Sequence, residues 1–193
     1  MHKTSFLSSL ALALASGLLL AAVPAQAQQQ LVPAQSSIEF AAKQMGVPMQ
    51  GQFKKFDAQV TFDPAKLATS RIRFTVDTGS ATMGSRETDT ELPKPAWFNV
   101  PKFPQATFES SSIKALGGGK FDVAGKLTIK GAAVDVTVPV TLSQSGATTT
   151  ATGSLPIKRL AFKIGDGEWA DTSMVADEVQ VKFKLALTGV GKL

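Results

Sequence analysis

The stretch "KFDVAGKLTIK", residues 120–130, sets Phe121, Val123, Leu127 and Ile129 against Lys120, Asp122, Lys126 and Lys130. Strict alternation over that length specifies a strand with one dry face and one wet face. The pattern recurs along the chain. "RIRFTVD" opposes Ile72, Phe74 and Val76 to Arg71, Arg73, Thr75 and Asp77; "VDVTVPVTL" supplies Val134, Val136, Val138, Val140 and Leu142; "VQVKFKLAL" supplies Val179, Val181, Phe183, Leu185 and Leu187. With "SIEF", "AQVTF", "ATFESSSI" and "TTTATGSLPI", about eight strands are expected, several of them roughly 33 Å long. "GGG" at 117–119, "KGAA" at 130–133 and "SQSG" at 143–146 are turn signals that favour antiparallel neighbours. Strands with one apolar face bury it in a sandwich or in a closed barrel, and the short turns permit closure. Two segments break the alternation. "DPAKLATS" reads as a short helix with Asp63 as N-cap, and 85–100 reads as helical turns interrupted by Pro93 and Pro95.

The residue types that are missing narrow the chemistry. The chain has no Cys, no Tyr and a single His, which is His2. His2 and Lys3 precede an apolar run over 6–23, and "AQA" at 25–27 is a small-x-small cleavage site. This is the layout of an exported protein's signal, with cleavage expected after Ala27 and one domain over 28–193. The remaining chain then lacks both His and Cys. That excludes the usual zinc sites, a cysteine nucleophile and a Ser-His-Asp triad, leaving carboxylates, Lys or Ser for any catalysis. The formal charge of +5 is spread along the chain, which argues against nucleic acid as a partner. The lack of Tyr and the two Trp argue against the aromatic girdles of a membrane-spanning barrel.

The acid-rich stretch "KIGDGEWADTSMVADEV", 163–179, fails as a calcium loop. Counted from Asp166, the sixth position is Asp171, where a sharp turn needs Gly. It is expected to be a polar loop between strands, with Phe162 and Ile164 before it and Val179 after it pointing inward. Small residues on otherwise apolar faces, Ala147, Ala151 and Gly153 on one strand and Gly125 on another, leave room for a cavity or for neighbouring Phe rings.

Taken in order, "SSIEF", "GQFKKFDAQVTFDP", Asp89 to Leu92, "WFNVPKFPQATFES", "GKLTIKG", and Arg159 to Gly165 followed by "VADEV" resemble the YceI-like family of periplasmic, lipocalin-like, polyisoprenoid-binding proteins. The chain departs from the common pattern at Lys43-Gln44, where many members carry His. The resemblance implies an all-β fold, an eight-stranded antiparallel lipocalin-like barrel with short helical caps. It implies an elongated apolar lipid of the polyisoprenoid or isoprenoid quinone type in the lumen; from the missing His and Cys, no cofactor, no metal and no catalytic residue are expected. It also implies a periplasmic location, no stable membrane insertion and a homodimer as an assembly open to the chain. The lumen candidates are Ile38, Phe40, Phe53, Phe74, Phe108, Phe121, Val123, Leu127, Ile129, Val136, Val138, Phe162, Val181, Phe183 and Leu185. At the mouth, Arg86, Asp89, Trp97, Arg159, Lys163 and Trp169 are the candidates for a headgroup site, since a diphosphate wants cations and a quinone does not. A β-domain with a filled core and a two-carboxylate hydrolase are the alternatives.

Overall fold

The computed structural model describes residues 29–193, so the expected signal segment lies outside the described residues. The strands are β1 (Gln30–Leu31), β2 (Ser37–Gln44), β3 (Val47–Phe53), β4 (Phe56–Thr61), β5 (Arg71–Asp77), β6 (Ala81–Thr82), β7 (Gln105–Gly117), β8 (Lys120–Ile129), β9 (Ala132–Ser145), β10 (Thr148–Lys158) and β11 (Glu178–Thr188). All eleven form one sheet in the order β4-β5-β7-β8-β9-β10-β11-β2-β3-β6, with β1 added beside β11. Every pairing is antiparallel. The expected all-β class stands.

The difference in strand number has a local cause. β3 pairs with β2, whereas β4, two residues later, pairs with β5 at the far margin of the same sheet. The chain bends at Lys54-Lys55 and so joins the two margins covalently. Counted as one bent strand, β3 and β4 bring the wall to eight long strands. The bend is clamped by the turn after β5: Lys54 N donates to Ser80 O at 3.2 Å, Lys55 N to Ser80 Oγ at 3.0 Å, and Asp77 N to Lys55 O at 3.0 Å. Below the bend the seam is sewn by Gln29. Its Nε2 donates to Phe62 O at 2.7 Å and its Oε1 accepts from Phe62 N at 2.9 Å, a side-chain imitation of a strand pair.

Turn chemistry follows the sequence. Lys130 and Gly131 link β8 to β9 with φ of 49° and 77°, the double left-handed geometry of a two-residue hairpin. "DPAKLATS" forms a 3-10 turn at Leu67–Thr69 rather than a helix, although Asp63 Oδ1 does accept from Ala65 N. Helix α1 (Arg86–Glu91), the turns after it and the 159–177 loop narrow one end of the barrel, its mouth. There Leu92, Phe98, Phe162 and Ile164 pack with Ala81, Ala106, Ile129 and Ile157 as a compact plug. No helix among the described residues is long and apolar enough to cross a membrane.

Replacing Gln29 with Ala removes both seam bonds at once. The variant is expected to lose about 1–2 kcal/mol of unfolding free energy in urea melts, with faster hydrogen exchange at the Phe62 amide. Unchanged exchange there contradicts a sewn seam.

Candidate binding cavity

Phe62, just after β4, meets Phe121 of β8 edge to face with centroids 5.4 Å apart, but most inward side chains do not meet across the barrel. They leave a cavity of about 590 Å³, of the size of natural ligand pockets. All nine strands of six or more residues contribute to its wall. The wall is hydrocarbon apart from Lys43, Gln44, Glu87, Thr88, Glu91 and Arg159 at the plugged end and Thr149 near the other. The cavity is thus an apolar tube with its polar groups gathered mainly at one end.

The alternation places Ile38, Phe40, Phe53, Phe74, Phe108, Phe121, Val123, Leu127, Ile129, Val138, Val181, Phe183 and Leu185 on this wall. Two lumen candidates are elsewhere. Val136 has inward parity, but its register partner is Gly125, and the Phe108 ring occupies that level of the wall. Phe162 is buried in the plug instead, because the chain leaves β10 into a 3-10 helix, Arg159–Phe162, and strand parity ends there. Ile164 and Val179 do reach the wall. Ala147 sits exposed in the β9–β10 turn, so of the small residues on that strand only Ala151 borders open space; Gly153 and Gly125 are covered by the Phe183 and Phe108 rings.

At the mouth, Trp97 and Trp169 both line the cavity, with ring centroids 5.6 Å apart at 45°. The charged candidates behave otherwise. Arg86 is exposed at the start of α1 and outside the wall. Asp89 turns back to β6, where it accepts from Thr82 Oγ1 and, at 2.6 Å, from Met83 N. Lys163 is exposed in a left-handed conformation, and its role is carried by its carbonyl, which accepts from Lys130 Nζ.

Arg159 borders the cavity, yet it is 1% exposed and has no donor left to offer. Nε donates to Ala176 O at 3.1 Å, Nη1 to Ile164 O and Gly165 O at 2.9 and 2.6 Å, and Nη2 to Trp169 O and Val175 O, each at 2.7 Å. A guanidinium has five N–H donors, and all five end on backbone carbonyls of one loop. Burial lowers the Arg159 pKa, and the nearby Asp177 carboxylate works in the opposite direction. Gly165 makes the arrangement fit: its φ is +64°, and a Cβ there would stand 2.5 Å from Arg159 Nη1 and 3.1 Å from Trp97 Cζ3. Lys130, also buried, repeats the device on a smaller scale, donating to Lys163 O, Ala96 O and Asp166 Oδ2.

The polar wall residues Lys43, Gln44, Glu87, Thr88 and Glu91 were not among the sequence candidates. Glu87 and Glu91 are four apart on α1 and so share a helix face, which is the one signal that could have found them. Glu91 is ion-paired to Lys94.

Arg159→Leu strands five carbonyls. It is expected to lower stability by about 3 kcal/mol or more, with hydrogen-exchange protection lost first in 163–177. Loss spread evenly over the barrel strands contradicts this role. Asp89 gives a pH signature. Its carboxyl is held below the usual aspartate range by the Thr82 hydroxyl first and the Met83 N–H second. A lowered folded pKa contributes stability above the unfolded value and loses it as pH falls through the folded value. The Met83 amide resonance should therefore shift only below the ordinary aspartate titration, and the shift should vanish in Asp89→Asn.

The comparisons with known proteins agree with this fold. Residues 29–187 match the family profile described as the YceI-like domain. A UPF0312 protein of Yersinia pestis is 41% identical over 106 residues, 54% of this chain and 53% of that protein, so the match spans about half the length of that relative. BcnA of Burkholderia cenocepacia has a crystal structure that superposes with a TM-score of 0.78 at 52% identity, over 81% of this chain and 98% of that one. A polyisoprenoid binding domain from Saccharophagus degradans has a TM-score of 0.69 at 15% identity, over 83% of this chain and 98% of that one, which is a likeness of fold. The chain belongs to the YceI-like domain family.

Proposed function

We propose that this protein binds one elongated apolar lipid of the polyisoprenoid or isoprenoid-quinone type in the barrel, and carries, stores or sequesters it in the periplasm. The observation that carries the reading is the cavity itself, a hydrocarbon tube with its polar groups mostly at one end. An isoprenoid has the matching form, a row of apolar carbons ending in one polar group. At about 0.8 kcal/mol per buried CH₂, ten such groups contribute roughly 8 kcal/mol before the ordering costs of binding. The polyisoprenoid binding named for the Saccharophagus degradans neighbour supports the ligand class through the shared fold. The signal layout of 1–27 supports export.

The mouth favours an uncharged headgroup. A diphosphate wants converging cations. Among the described residues the wall's cations are Lys43 and Arg159, and every Arg159 donor is already engaged. Glu87 and Glu91 stand at the same end. A quinone or an alcohol needs only hydrogen-bonding groups such as Gln44 and Thr88. Binding also accounts for the wall better than carboxylate chemistry does, since the acids it holds lie at the rim and Glu91 is already paired.

Protein purified from its native compartment, extracted with organic solvent and examined by mass spectrometry is expected to release about one neutral prenyl lipid per chain. Farnesol is expected to change the tryptophan fluorescence, which arises from Trp97 and Trp169 alone, at lower concentration than farnesyl diphosphate. Clean extracts together with no response to farnesol overturn the lipid reading; preference for the diphosphate overturns the neutral headgroup.

A further inference from the structure

Three glycines stand in the barrel strands where an inward side chain is expected: Gly51 on β3, Gly125 on β8 and Gly153 on β10. Glycine is a poor strand residue, and in a strand interior it often marks a place that another group must approach closely. None of the three lines the cavity, yet each lies under a phenylalanine that does. A Cβ on Gly51 would stand 2.6 Å from Phe40 Cε2, one on Gly125 2.6 Å from Phe108 Cζ, and one on Gly153 2.9 Å from Phe183 Cε1. Phe40 and Phe183 are the direct register partners of Gly51 and Gly153, and Phe108 reaches Gly125 on the diagonal. Non-bonded carbons rest at about 3.5–4.0 Å. Any larger residue at these positions meets both the ring and a backbone carbonyl, that of Thr82, Glu109 or Pro139, and the ring is the part freer to move.

We propose that Gly51, Gly125 and Gly153 set the bore of the tube, and so act as specificity-determining residues for the ligand without touching it. Each glycine lets a large ring lie along the wall of the neighbouring strand instead of projecting into a lumen of 590 Å³. The wall stays aromatic and dry while the axis stays open to a chain with methyl branches. With the rings lifted, the bore narrows toward the width of an unbranched chain. The proposal rests on the lipid-binding reading above and concerns which lipids that site admits.

Gly51→Ala is the mildest test, because its added methyl meets Thr82 O at 2.8 Å, whereas Gly153 and Gly125 meet the Pro139 and Glu109 carbonyls more closely. The probes are geranylgeraniol, which is branched, and 1-hexadecanol, which is not. In folded Gly51→Ala the affinity for geranylgeraniol is expected to fall at least ten-fold relative to hexadecanol, and Gly51→Ala/Phe40→Leu is expected to recover most of it. An unchanged ratio, or an equal loss in the single and double variants, overturns the proposal. If Gly51→Ala does not fold, Phe183→Leu leaves every glycine in place and must shift preference toward the branched alcohol; no shift overturns it. A wild-type protein that takes up neither alcohol overturns the lipid reading instead. The bore is then judged by a crystal structure of Gly51→Ala or, if that variant does not fold, Gly153→Ala, in which a ring still lying over the substituted position refutes the proposal.

Discussion

The mouth of the barrel depends on one guanidinium. The 159–177 loop packs Phe162 and Ile164 into the plug and bonds to Lys43, Met45 and Ala96 through its backbone, yet the carbonyls of Ile164, Gly165, Trp169, Val175 and Ala176 take none of those bonds. Buried carbonyls need donors, and Arg159 supplies five in a fixed planar array. Taking the charge out of water is expensive, which the converging carbonyl dipoles and Asp177 offset. The arrangement carries Ile164, Trp169 and Val175 into the cavity wall. It also decides what the mouth cannot do: a cation with all its hydrogen bonds made is a structural post, not a receptor for an anion.

The same interaction marks where reading the sequence stops. Alternation reports which face of a strand is dry, so the barrel wall and thirteen of the fifteen lumen candidates were legible from period two. The turn at Lys130-Gly131 was legible for the same local reason. Parity fails where the backbone leaves the sheet, as at Phe162, and where a neighbouring ring takes the space, as at Val136 beside Gly125. Charge is less legible still. Arg159 and Lys163 look alike in the sequence, but one is sealed behind carbonyls from residues 164 to 176 and the other faces water. Lys130 gave no sign of burial, because its partners Ala96, Lys163 and Asp166 are brought to it only by the tertiary fold. Closure of the barrel was half legible: the strand count came from alternation, whereas the bend that lets one strand serve both margins depends on the turn at Asp77–Ser80.

An open lumen sets an energetic problem that the wall partly answers. Protein interiors pack densely. Side chains that border open space forgo the contacts a filled interior would give them. The strand ladders do not require a filled interior, which is why a barrel tolerates the void at all. Phe40, Phe108 and Phe183, laid over glycines, recover contacts along the wall that rings pointing into empty space would forgo. On the proposed reading a lipid supplies the remainder, so that uptake of cargo and completion of the core are one event, and folding stability becomes linked to ligand concentration. Because apolar burial is non-directional, such a site discriminates by the length and width of what it encloses. The residues that shape the width are then as decisive for recognition as any that touch the ligand.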